Sequence, residues 1–285
     1  MQIREVEYFL AIADHGSVRH AAATLGLTQP SLSRGIVNLE REFGLQLFDR
    51  LGHGMVLTTA GKAFLGPARR LIRTARLDTD PGSISLDIAT WGTLAVDPTA
   101  ALIAELHTEH PALPIRVEKA DDEESVCRLV RDGHCEIGTV FLPSIALEGL
   151  GVVAAGSFRE WLILPPDTEV GPGPLPLSAV SDYQLVVPTG GSQVSFVGMA
   201  LAAAGVQVRV GVLSAHREAQ IALVLEGSGA ALASEHYARV AQSRGAVIRE
   251  LTPPIVRDYG FVHRVDVLSP AAARFIDLAL AHTSN

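Results

Sequence analysis

The sequence predicts a mixed α/β protein whose N-terminal part is all-α and winged, and three observations predict it. As far as Arg76, apolar residues recur at helical spacing, interrupted once by two short β-type runs. From Ser83 onward, strand-like and helix-like segments alternate, the order that builds a parallel sheet with helices on both faces. Between these parts lies Asp78-Thr79-Asp80-Pro81-Gly82, a run of chain breakers that reads as a hinge.

Ile3, Val6, Phe9, Leu10 and Ala13 repeat at three and four residues, which makes a first amphipathic helix ending near Gly16. Ser17 is placed to cap a second, short helix with Ala21, Ala22 and Leu25 on its apolar face, and Gly26 closes it. Thr28 caps a third helix, with Pro30 in the first turn, where a missing N–H costs nothing. Leu32, Ile36, Leu39 and Phe43 form the buried stripe of that helix, and Ser31, Ser33, Arg34, Asn38 and Arg41 are left outside. Ala22, Gly26 and Leu32 stand at the spacing of a helix-turn-helix: a small residue for close approach, a glycine to turn, a leucine to lock the pair. Such a pair presents its second helix to a DNA major groove. Leu47 to Thr58, two short β-type runs around the glycine-bounded turn Gly52-His53-Gly54, reads as a wing.

On that reading Gln29, Ser31, Ser33 and Arg34 face base edges, since glutamine can bridge adenine and arginine can grip guanine. Thr28 and Arg50 read as phosphate contacts, and His53 in the wing as one that would strengthen on protonation. Thr59 to Arg76 then forms one long helix, kinked at Pro67, with Phe64, Leu65, Ala68, Leu71, Ile72 and Ala75 along one side. That stripe finds no obvious cover within so small an N-terminal part, which invites a second copy of the chain.

The run AAATLGLTQPSLSRGIVNLEREFGLQLFDR, followed by LTTAGKAFL, resembles the N-terminal domain of the LysR-type transcriptional regulators. Thr-Gln-Pro-Ser-Leu-Ser-Arg, Leu39-Glu40, Leu-Phe-Asp-Arg and Leu-Thr-Thr-Ala-Gly fall in family order and near-family spacing; the rest of the chain agrees in length and order. The resemblance implies a winged helix-turn-helix DNA-binding domain (1–58), a linker helix and hinge (59–82), and a two-lobed effector domain (83–285) of the periplasmic-binding-protein type. It also implies that the linker helix forms a dimer interface, through Phe64, Ala68, Leu71, Ile72 and Ala75. Gly35 and Val37 depart from the longer polar or basic residues usual there, which should weaken the grip on phosphate.

Charge is distributed unevenly. Residues 1–80 carry a net +2 and the remainder a net −10, within a formal −8 overall. That gathers the basic charge at the end read as DNA-binding. No run of apolar residues is long enough to span a bilayer and no signal pattern opens the chain, so the expectation is a cytoplasmic protein with no membrane partner. Cys127 and Cys135, the only cysteines, read as small core fillers in a reducing compartment.

In two-lobed α/β folds ligands bind beyond the carboxyl ends of strands, near helix starts. Two loops fit: Thr90-Trp91-Gly92-Thr93 after the first strand of lobe one, and Thr189-Gly190-Gly191-Ser192 after a strand of lobe two. Hydroxyls and free N–H groups at a helix start suit a carboxylate, Trp91 could stack on a planar ligand, and Phe141 at a strand end is a further candidate. Ordinary capping loops and a core phenylalanine are the alternatives. No G-x-S-x-G, H-E-x-x-H, P-loop or G-x-G-x-x-G occurs, and Cys127, His134 and Cys135 lack a fourth metal ligand, so no enzymatic activity, metal or cofactor is expected. The reading is a homo-oligomeric, operator-binding transcriptional regulator with a small anionic or aromatic effector in an interlobe cleft. A regulator without a ligand, or a small-molecule binding protein or enzyme on the same two-lobed fold, remains the alternative.

Overall fold

The computed structural model describes residues 2–51, 54–79, 85–144, 146–189, 192–265 and 268–283. Helix α1 (Ile3–His15) buries Val6, Phe9 and Ile12, and the Gly16 N–H closes it on the Ile12 carbonyl. Before α2 (Val18–Thr24), Ser17 holds the N-cap position, but its hydroxyl makes no capping bond. Its carbonyl holds the first turn instead, accepting the Ala21 N–H at 3.0 Å. Helix α3 (Gln29–Phe43) begins as the sequence indicates: Thr28 Oγ1 accepts the Ser31 N–H at 3.4 Å, and Pro30 lies in the opening turn. Strands β1 (Phe48–Leu51) and β2 (Gly54–Leu57) pair antiparallel, Phe48 opposite Leu57, and form the wing. The base of the wing is pinned by Glu40, whose Oε1 accepts the N–H groups of Leu47 and Phe48 at 2.8 and 3.2 Å.

Helix α4 (Thr59–Thr79) runs past Arg76 and continues through Pro67. Its apolar stripe is not left bare. Leu65, Ala68 and Ile72 are buried in one cluster with Phe9 and Ile12 of α1. The Phe64 ring lies 5.0 Å from those of both Phe9 and Phe43. An aromatic, amphipathic α1 supplies the cover that the stripe alone does not reveal, and leaves Leu71 and Ala75 half-buried.

The remaining elements form two lobes. Lobe one opens with β3 (Leu86–Thr90), α5 (Thr99–Glu109), β4 (Ile115–Lys119), α6 (Glu123–Arg131) and β5 (Ile137–Leu142). A 15-residue strand, β6 (Leu150–Leu164), leads to β7 (Leu175–Pro176), β8 (Gln184–Pro188), α7 (Ser192–Ala203), β9 (Arg209–Ser214) and α8 (Ala219–Leu225) of lobe two. Then come β10 (Ala231–Ser234), α9 (Glu235–Ser243), β11 (Val247–Arg249), β12 (Leu251–Thr252), β13 (Ile255–Arg264) and α10 (Pro270–Thr283). The main sheet has the order β10-β6-β13-β5-β3-β4, with β11 also on β6.

The expected parallel pairing holds for β3 with β4 and β5 and for β8 with β9. It fails for β6, β10, β11 and β13, which pair antiparallel. The reason is topological: β6 carries the chain into lobe two and β13 brings it back, so the two run in opposite directions through one sheet. The final helix does return to lobe one, where Phe275, Ile276 and Ala279 pack with Leu102 and Leu106 of α5.

Candidate functional site

The helix-turn-helix leaves one face of α3 outside. Gln29, Ser31 and Arg34 are exposed, whereas Leu32, Ile36 and Leu39 are buried. Ser31 and Thr28 hold each other, hydroxyl to hydroxyl, at 2.9 Å, so Thr28 serves the helix start before anything else. Ser33 is set further in than expected, half-buried on a 260 Å³ cavity that Val18, Phe48 and Met55 also line. Gly35 is not a vacant place on the outer face: it is buried, with the Tyr8 ring across it. Val37 is exposed. The Arg50 side chain and His53 lie outside the described residues.

Between the lobes is a cavity of about 620 Å³. Thr90, Trp91 and Gly92 line it from lobe one and Thr189 from lobe two, so the two loops singled out in the sequence do meet. Their chemistry differs in detail. The Thr90 hydroxyl accepts from Thr139 Oγ1 at 2.6 Å and is committed to the sheet. After Trp91 the chain makes a single 3₁₀ turn, Gly92–Ala95, rather than an α-helix, so no helix dipole points at this loop. Thr93 is turned inward, onto a small side cavity that it shares with Arg217, Gln220, Ser234 and Tyr237. The Thr189 N–H is already bonded to the Ser214 carbonyl at 2.8 Å. Gly190 and Gly191 and the Ser192 side chain lie outside the described residues.

Trp91 is 6% exposed, and its indole N–H finds no acceptor among the described residues. Its ring meets that of Phe141 edge-on at 6.0 Å. Phe141 itself does not border the cleft. It is buried in the lobe-one core beneath the Arg257 guanidinium, 4.1 Å from its ring centre. Arg257 bonds Glu123 at 3.0 Å and also faces Phe196 of α7. It is therefore a buried cation joining α6 of lobe one to α7 of lobe two. Burial holds its affinity for a proton below that of an ordinary guanidinium, and Glu123 counters this.

Four charged residues that no sequence pattern marks line the same cavity: Lys119 and Asp121 from lobe one, Arg217 and Glu218 from lobe two. So does Tyr237, whose phenol is pushed up by burial and partly restored by Arg217, and which therefore stays a proton donor at neutral pH. The cleft thus has two cations and two anions on its walls, despite the net −10 of residues 81–285.

Comparison with known proteins identifies these two parts. Residues 3–62 match the bacterial regulatory helix-turn-helix proteins of the lysR family, and residues 81–284 match the LysR substrate binding domain. The HTH-type transcriptional regulator TdfR of Cupriavidus pinatubonensis is 29% identical over 300 residues, covering 98% of each chain. IlvR of Caulobacter vibrioides is 28% identical, covering 95% of this chain and 94% of that one. Among solved structures, full-length OxyR from Pseudomonas aeruginosa superposes with a TM-score of 0.70 at 18% identity, covering 99% of this chain and 94% of its own. Full-length CbnR, solved in complex with its target DNA, gives 0.57 at 22% identity and covers both chains completely. No helix among the described residues is long and apolar enough to cross a membrane. A winged helix-turn-helix, a two-lobed substrate-binding fold and matches to both family domains establish that this chain belongs to the LysR family, as a DNA-binding transcriptional regulator and not an enzyme.

Proposed function

We propose that Gln29, Ser31 and Arg34 read the operator, with Thr28, Arg50 and His53 on its phosphates, and that a small carboxylate or aromatic acid in the interlobe cleft governs the response. One observation carries this reading: an exposed polar face on α3 and a polar cleft of about 620 Å³ occupy separate parts of one chain. Lys119 and Arg217 supply the positive charge for a carboxylate, and Thr189 and Tyr237 supply hydroxyls beside it. Division at 1–58, 59–82 and 83–285, assembly as a homo-oligomer through α4, and residence in the cytoplasm, where operator DNA is reached, complete the reading.

The experiment is operator binding by fluorescence anisotropy across salt concentrations, with and without candidate acids. Arg34→Ala is expected to lose about 1–3 kcal/mol of specific affinity if the guanidinium meets a base, with circular dichroism unchanged. Thr189→Val is expected to remove the response to acid and leave basal operator binding intact. Wild-type affinity in the first variant would remove Arg34 from the interface; an undiminished response in the second would remove Thr189 from the effector site.

A further inference from the structure

A second cavity of about 190 Å³ lies within lobe two, beside the cleft. Leu185, Val187, Val197, Leu201, Val210 and Leu232 make most of its wall, and the buried Glu160 borders it as well. Pro188 and Arg217 border both spaces, so the apolar cavity opens at the point where the cleft carries a cation. The amide of Gln220, which also borders it, is already spent on the Val186 carbonyl at 3.0 Å. A void of roughly 150 Å³ lined by aliphatic side chains is large enough for a benzene ring, so this one accommodates a ring or a short branched chain. The Arg217 carbonyl accepts the Gln220 N–H at 3.1 Å, and its guanidinium lies near the Tyr237 phenol at the junction of the two spaces.

We infer that the effector is an amphiphilic carboxylate: its anionic head lies against Arg217 in the cleft and its apolar limb passes Pro188 into the lobe-two cavity. This rests on the cleft being the effector site, and adds to it the length and shape of the ligand. A head group alone would engage one space, and an unfunctionalised hydrocarbon the other. Only a molecule with both parts, joined by a short link, fills the two together.

Calorimetric titration of the full-length chain with acetate, 4-phenylbutanoate and benzene tests this. Wild type is expected to bind 4-phenylbutanoate roughly 10- to 100-fold more tightly than acetate, the gain that burying a ring provides. Gly198 borders the cavity on α7, and a Cβ added there meets nothing within 4 Å. Gly198→Phe should therefore fill the cavity, abolish benzene binding and bring 4-phenylbutanoate down to the level of acetate. Retained acetate affinity would show that the variant is folded. Arg217→Gln should weaken both acids at least about tenfold and spare benzene, since a charge-assisted bond is lost and the apolar wall is not. Equal affinity of wild type for the two acids, or no effect of Gly198→Phe, would overturn the lobe-two limb and leave the cleft standing. Failure of both acids to bind wild type would remove the acid-binding cleft and the limb with it.

Discussion

Gly35 shows how a residue's meaning depends on the side of the helix it occupies. In an outward sequence pattern it reads as a lost phosphate contact; in the fold an added Cβ would stand 2.5 Å from Tyr8 Cδ2. Alanine there would gain about 1 kcal/mol of helix propensity. The displaced ring would cost about 1–3 kcal/mol, so Gly35→Ala is expected to be neutral to destabilising. Tyr8→Ala in the same chain should remove that cost and uncover the propensity gain. Urea unfolding of the two single variants and the double variant measures the coupling; additive effects would mean that the ring does not restrain Gly35. The cleft is half legible at this scale. Trp91 and Thr189 can be found because each follows a strand in the same linear stretch as small polar residues. Lys119, Arg217 and Tyr237 cannot, because they stand far apart in the sequence and only the fold brings these three onto one cavity.

At the scale of elements, α4 separates two roles that its sequence merges. Ile72 is buried against α1, while Leu71 is half-buried. Asp at 72 would place a charge in the core of the N-terminal part, so Ile72→Asp is expected to unfold it. Leu71→Asp should leave the fold standing and, if α4 carries the self-association, convert the oligomer to monomer. Thermal melts and sedimentation velocity distinguish the two; an intact oligomer in a folded Leu71→Asp chain would move the interface away from this face. Helices with large apolar side chains are readable in the sequence, as α1, α3 and α10 are. Helix α9 is not, because it is only nine residues long and its buried positions, Ala238 and Ala241, carry small side chains. The first half of β6 is hidden by Gly151, Ala154, Ala155 and Gly156, and that of β13 by a buried arginine at a position where alternation calls for an apolar residue.

For the molecule as a whole, the two-lobed plan is legible in the alternation of strands and helices, but the antiparallel crossing strands are not, since pattern carries no record of strand direction. The crossing is reinforced by the Arg257–Glu123 pair, whose side chains are 7% and 14% exposed. Glu160 also stands against the Arg257 charge, so removing Glu123 withdraws one of two carboxylates from the buried guanidinium. Glu123→Ala is accordingly expected to cost about 1–3 kcal/mol in urea unfolding, the penalty of a buried charged group that loses one hydrogen-bond partner. A small loss in the single variant would mean that solvent reaches the guanidinium between the lobes.

Helix α4 also touches lobe one directly. Arg69 donates from Nη1 to the Asp132 carbonyl at 2.6 Å and from Nη2 to Asp14 of α1 at 2.7 Å. Just beside it, an added Cβ on Gly133 would lie 2.9 Å from the Gly66 Cα, so the two backbones cross with no side chain between them. The DNA-reading part and the effector part are thus held against each other at this crossing, in addition to being one chain. Gly66→Leu should open the crossing, and small-angle scattering would then register a broader spread of molecular dimensions; an unchanged profile would mean that the crossing bears no constraint. With the crossing in place, a change in how the lobes close has a fixed point of leverage through which to reach the DNA, and the distance from that point to α3 sets the lever arm.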